Sequence, residues 1–530
     1  MGLNDTHRLQ PPIAPPKVLG FDCPGFSSFR FLGANFPEAS TTIHRAFSIA
    51  RMANCHTLVV EAIKAVGLIE EDNLELAKYG GSCKDLILRI SFWETQFCEG
   101  MTVDDLLESD LVGYLIIKND VGSGFQNGKW FHVDRWYVFE SVFRQTTQAE
   151  YFIFPLSSYY VAIGSKVCNI KGVLYCQQNS INKCCAHVAL RSLLSRVMLG
   201  NDIGYETINE YARFLPNEKC PIPGTGMSLS HIHNVLEEVG IKYDEYDLAN
   251  KVFGYSYQKC VYDGVESGIG SLLFIHCGEN YSSNHVFPVY GHTFNCNTWV
   301  PDAESSYFMM GKGIGYMPSD LWTDDFLVHD DNFGCNFCVP RRHIADDMAF
   351  WAIALHKPGD CLSPRMAEAA TLVIISAWAG YLDSTNIWNE QIIRLLPKVP
   401  NASIQPRFVL RTVTTSCKEY FSYISSTKDG RGNSEASALI TAFASMSLPD
   451  RLMVVELSLP QLFPANKRKI GELVFDAGKT ASEDMLLTIH NTFCFGRMPG
   501  EYLYYNDSPT GKVLMRRKSK LTDHTKLLYT

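Results

Sequence analysis

The chain has 530 residues, 46% hydrophobic and 19% charged, with a formal net charge of −9. That length exceeds one ordinary core, so about two to four domains are expected, and the composition is that of packed globular protein. An acidic balance, with basic residues dense only at Arg516, Arg517, Lys518 and Lys520, argues against a nucleic-acid partner.

The start, MGLNDTHRLQPPIAPPK, carries no apolar h-region, and no later run is long enough to span a bilayer. A cytoplasmic protein with no membrane span is the expectation. Gly2 with Thr6 meets the loose myristoylation pattern, a signal too short to weigh. The 17 cysteines are scattered through apolar stretches such as LLFIHC and NTFCFG, which fits buried, reduced thiols better than a disulfide framework.

In chain order, residues 1–28 are rich in Pro and Gly and read as an irregular arm. Residues 29–165 read as an α/β domain, with helical spacing from Ser40 to Gly67 and strands in DLILRISF, LVGYLIIKN, WYVFESVF and YFIFPL. Residues 166–345 begin with three helices (CCAHVALRSLLSRVML, YETINEYARFL and SLSHIHNVLEEVG, the last opened by Ser228) and continue with strands SLLFIHC, HVFPVYGHTF and FLVHDD. Helices first and antiparallel strands afterwards is an α+β order. Residues 346–400 read as a helical segment beginning with DDMAFWAIALH, and 401–530 as a C-terminal, mainly β domain.

A thiol becomes a strong nucleophile at a helix N-terminus, where the macrodipole favours thiolate, when it also faces an imidazole. Cys184 follows the polar stretch QQNSINK and opens an apolar-periodic helix. Gln178, six residues upstream, is placed to return over the helix start and aim its amide at a developing oxyanion, a contact worth roughly 3 kcal/mol.

The Gln-x5-Cys spacing of Gln178 and Cys184, with Ala186 two residues on, resembles the nucleophile segment of papain-like cysteine peptidases. The stretch GMSLSHIHNVLEEVGIKYDEYD is similar to the Gly-x-Ser-Leu helix and following strand of the double-glycine leader peptidase branch, and Asn284-His285-Val286 with Gly291 resembles the base strand of both. The likeness covers residues 176–334 and implies a papain-like core with Cys184 as nucleophile, His285 as general base and acid, and Gln178 with the Cys184 N–H in the oxyanion hole. It implies a peptide or protein substrate and no cofactor. That branch carries Gly after its nucleophile where Cys185 stands here, which leaves Cys185 as the alternative thiol. The residue orienting His285 is expected to be Asp330, at the end of FLVHDD, with Asp302, Asn297 and Asp331 as alternatives. A transferase ending on an amine, or a papain-like scaffold without chemistry, would use the same residues.

His329, Cys335, Cys338 and His343 form H-x5-C-x2-C-x4-H, more compact than a zinc finger, and read as buried thiols near a turn with no metal. Gly311-Lys312-Gly313-Ile314-Gly315 lacks the full phosphate-loop pattern and reads as a connection. His187 reads as a packing or surface residue one turn into the helix, and His292 as the runner-up base on the opposite strand face.

Overall fold

The computed structural model describes residues 6–21, 28–36, 41–126, 129–145, 152–198, 202–214, 226–250, 255–277, 283–294, 316–396, 408–437, 440–441, 448–463, 467–508 and 511–529. The chain forms two units and passes between them several times: residues 1–240, 271–291 and 326–350 make the first, and 241–270, 292–325 and 351–530 the second. Helices and antiparallel sheets occur in both, so the protein is α+β.

The first unit opens with α1 (Thr6–Leu9), β1 (Lys17–Gly20), α2 (Ser28–Asn35), α3 (Thr41–Met52), β2 (Thr57–Ile63), α4 (Leu68–Lys78), β3 (Ser82–Trp93), β4 (Leu111–Gln126) and β5 (Lys129–Phe143). Strands β1 to β5 form an antiparallel meander in chain order. The arm expected at residues 1–28 therefore contains a helix and an edge strand, because Lys17–Gly20 pairs with β2. The single helix expected from Ser40 to Gly67 is also corrected. It stops where Asn54 takes φ 57°, the Cys55 N–H closes the end on the Ala50 carbonyl, and the β-branched run that follows becomes β2.

One face of the meander carries an aromatic core in which Phe47 of α3 lies edge-on to Phe92 of β3 at 5.1 Å, with Phe21 beside both. Charge is buried elsewhere in this sheet. Asp72 of α4 accepts from Lys118 of β4, Tyr137 of β5 and Lys183, and the two lysine charges hold its carboxyl well down against the cost of burial. Glu140 of β5 takes Arg8 and Arg191, which ties the N-terminal segment and the later helix to the same sheet.

The unit continues with β6 (Phe152–Ile153), the hairpin β7 (Ser157–Ile163) and β8 (Lys166–Gly172), α5 (Cys185–Leu194), α6 (Tyr205–Ala212) and α7 (Leu229–Val239). Helix α7 is capped by Ser228, whose hydroxyl accepts the His231 N–H, and closes at Gly240 in the left-handed region, φ 74°. The second unit begins with β9 (Tyr243–Asp247) and α8 (Tyr257–Glu266), after which β10 (Gly270–Cys277) and β11 (Ser283–Thr293) return to the first. There β10 pairs antiparallel with β11, placing Ile275 opposite His285.

Next come β12 (Met317–Pro318), β13 (Asp325–Asp330), β14 (Gly334–Pro340) and β15 (Ala349–Leu355). In the first unit the strand order is β14-β13-β11-β10. The helix expected at DDMAFWAIALH is instead strand β15, whose residues from Trp351 on pair with β9 in the second unit. A short buried apolar run leaves helix and strand undecided until a partner is found.

The rest of the second unit is α9 (Pro364–Trp378), α10 (Ile387–Leu395), β16 (Val409–Ser416), α11 (Cys417–Ser426), β17 (Arg451–Ser458), β18 (Arg468–Lys469), β19 (Gly471–Asp476), α12 (Met485–Thr492), β20 (Phe493–Met498), β21 (Glu501–Ser508), β22 (Gly511–Lys518) and β23 (Thr525–Lys526). Its sheet runs β12-β16-β17-β19-β20-β21-β22, with β12 parallel to β16. Period-two alternation splits the core: Met453, Val455 and Leu457 pack with α9, α10 and α12, and Leu452 and Val454 pack with α11. The separate C-terminal domain expected at 401–530 is corrected by its core. Arg411 of β16 donates from Nε and an NH2 group to Glu266 of α8, and the buried Lys259 of α8 reaches Glu368 of α9.

Candidate functional site

The segment before α5 is fixed from inside. Gln177 accepts the Thr42 hydroxyl at 2.6 Å and the Val138 N–H at 2.9 Å. Asn179 Oδ1 gathers the N–H groups of Ile181, Asn182 and Lys183, while its amide donates to Asp120. Lys183 enters the Asp72 network. With Gln177 and Asn179 turned inward, Gln178 is left at the surface, where its Nε2 donates to Asn332 Oδ1 at 3.2 Å.

Cys184 is the N-cap of α5, with extended φ and ψ, and the next residue begins the helix. His187, three residues on, turns its ring back over the helix start. Its Nδ1 lies 3.1 Å from the Cys184 sulfur and 3.3 Å from the Cys184 backbone nitrogen, in the reciprocal geometry of a capping box. The other ring nitrogen, Nε2, lies 2.8 Å from Asn209 Oδ1 on α6, and the Asn209 amide donates onward to Glu75 of α4. Thiol, imidazole and amide thus form one chain in which the amide oxygen keeps a proton on Nε2 and leaves Nδ1 to face sulfur.

The Cys185 thiol donates to the Cys184 sulfur, and this bond together with His187 draws the Cys184 thiol well below the ordinary range despite burial. The donor is pushed the other way: binding to the Cys184 sulfur and burial raise Cys185. Cys185 also meets the Val286 backbone and lines a small cavity with Cys176, His329 and Asp331.

His285 stands on β11 beside Val286, and its Nε2 is shared by two carboxylates, Asp330 Oδ2 at 3.2 Å and Asp331 Oδ1 at 3.3 Å. Burial opposes a charged ring, yet the bond to Asp330 and the two carboxylate charges raise the His285 pKa. Asp330 is partly buried, but His285 and the N–H groups of Asn332 and Phe333 hold its pKa down. Asp331 is more deeply buried, which pushes its pKa up to about 7.

Of the residues expected at the site, Gln178 meets the 330–332 turn and His285 meets Asp330. The Cys184 thiol, by contrast, is bonded to His187, and among the described residues no hydrogen bond joins it to His285. The Cys184 N–H, expected in the oxyanion hole, is directed at His187 Nδ1. His187, expected as a packing or surface residue, is buried and also carries the contact to the Cys184 sulfur. Its signal was the Cys-x-x-His spacing across a helix start, a capping-box pattern; Asn209 had no signal, since α5 and α6 meet only in the fold. Asn297, Asp302 and the 311–315 loop lie outside the described residues. His292 is buried against Glu266 in the second unit.

Among the described residues, only two sets of three or more ligand-type groups bring their ligand atoms within 4.8 Å of one another, His7/Glu140/Asp202 and His285/Asp330/Asp331. The 329–343 cluster is not one of them. His329 is kept neutral, at about 3, by burial, and its Nδ1 accepts the Asn336 N–H. Also among the described residues, no helix is long and apolar enough to cross a membrane.

No protein-family model, curated protein or solved structure matches the chain.

Proposed function

We propose that the first unit is a papain-like, thiol-dependent amide-bond hydrolase acting on a peptide or protein through an acyl-thioester on Cys184. The observation that carries this reading is the Cys184 sulfur held at the start of α5 against His187 Nδ1, with Asn209 fixing the far side of the ring. His187 takes the thiol proton, and the Cys184 N–H that neutral Nδ1 accepted is then released to the oxyanion, beside the first N–H groups of α5 and the Gln178 amide. His187 is fully buried and cannot meet a leaving group, whereas the His285 side chain is 12% exposed. His285, whose carboxylates favour the protonated ring, gives a proton to the leaving amine, then takes one from water as hydroxide attacks the thioester and the thiolate returns.

The test is incubation of the full chain with a casein-derived peptide mixture, reading new peptide termini by mass spectrometry. Cys184→Ala should abolish them, and His285→Ala should reduce them by about a hundredfold or more. Loss with Cys185→Ala but not with Cys184→Ala would move the nucleophile by one residue. New termini that persist in both variants would overturn the thiol mechanism. If the parent chain yields none and no thiol labels first with limiting iodoacetamide, the core is a scaffold.

A further inference from the structure

Two adjacent thiols at a helix start are more than a nucleophile needs. Cys185 donates to the Cys184 sulfur, and both residues are partly exposed. The peptide between them joins the N-cap to the first helical residue, and the N–H of that residue has no carbonyl four positions back within the helix. The Cys184 carbonyl in the same peptide accepts the His187 and Val188 N–H groups, so twisting the peptide gives up only the first rung of α5 and leaves the later rungs in place. Cys176 lines the same cavity as Cys185 and is the competing partner, but it is buried and is not adjacent in the chain.

We propose that Cys184 and Cys185 are a hydroperoxide-reactive pair that closes to a vicinal disulfide and reversibly silences the site. The silencing rests on the reading of Cys184 as nucleophile. The Cys184 thiolate attacks one oxygen of hydrogen peroxide, the O–O bond breaks, and sulfenic acid and hydroxide form; hydroxide takes the Cys185 proton to give water. The Cys185 thiolate then attacks the sulfenic sulfur, the S–O bond breaks, and hydroxide leaves to be protonated by solvent. Two thiols and one peroxide give one disulfide and two waters. The neighbouring thiol thereby intercepts the sulfenic acid before it is oxidised irreversibly to sulfinic acid.

The experiment treats the full chain with a small excess of hydrogen peroxide, denatures it in iodoacetamide and digests it with trypsin. Cleavage after Lys183 and Arg191 isolates residues 184–191 with both thiols, and cleavage after Lys171 and Lys183 isolates 172–183 with Cys176. The 184–191 peptide is expected unalkylated and two hydrogens lighter than its dithiol form, returning to the doubly alkylated form after dithiothreitol. In Cys185→Ser the same peptide should instead gain two oxygens at Cys184. Sulfinic acid at Cys184 in the parent chain, a cross-link to 172–183, or a fully alkylated 184–191 peptide while other thiols are consumed would each overturn the proposal. All are read from mass, so their failure is distinct from failure of the turnover test on Cys184→Ala.

Discussion

At Cys184, a cysteine occupies the N-cap position that Ser, Thr, Asp and Asn usually hold, and its sulfur meets an imidazole three residues on. Because its pKa is drawn down by Cys185 and His187, iodoacetamide at pH 6 should label Cys184 ahead of the buried thiols, such as Cys335, which burial pushes up to about 11. His187→Ala should slow that labelling about tenfold or more at pH 6 and far less at pH 9, with the 184–191 peptide mass as readout. Asp331 makes a separate prediction. Its folded pKa, about 7, lies above its ordinary 3.8, so between those values the folded state holds a proton that the unfolded state releases. Its contribution to stability is full below pH 4, falls as pH rises to 7 and is flat beyond. Asp331→Asn should lack that slope and gain stability relative to the parent at pH 8, by at most about 4 kcal/mol. Urea unfolding at pH 5 and pH 8 checks it; an equal shift at both pH values would exclude titration of Asp331 as the source.

Helix α5 owes its place to a loop whose charged anchor lies under it. Removing the carboxylate in Asp72→Ala leaves the Lys118 and Lys183 ammonium groups buried without that counter-charge, and should cost roughly 3–5 kcal/mol. Because Lys183 adjoins Cys184, the same variant should lose preferential Cys184 labelling under conditions where circular dichroism still reports a folded chain. Helix α7 is a milder case. Ser228→Ala removes one cap hydrogen bond and should cost about 1 kcal/mol by thermal unfolding, with no effect on Cys184 labelling.

Over the whole molecule, the two units interleave in sequence, so linear domain boundaries do not mark what folds alone. A fragment of residues 351–530 would carry the Arg411 and Glu368 side chains without the Glu266 and Lys259 partners that α8 supplies. It should be insoluble or lack a cooperative transition in circular dichroism, and a soluble, cooperatively folding fragment would show that α8 is dispensable to that core.

Sequence alone determined whatever depends on near neighbours. The apolar runs at 111–118, 451–458 and 471–476, the Ser228 cap and the helix opened by Cys184 were all legible, because strand-forming composition and capping act within a few residues. Asp330 was within reach because it closes a strand and begins a polar turn. Tertiary structure decided the rest. Residues 349–355 became a strand once β9 offered its backbone, and 57–63 became one between β1 and β3. The partner of the Cys184 thiol turned on which ring reached the sulfur first. Helix geometry gave His187 that place, and Asn209, from another helix, held the ring there. Spacing along a chain specifies which residues are near the start of a helix, but not which distant side chain arrives to share its hydrogen bonds.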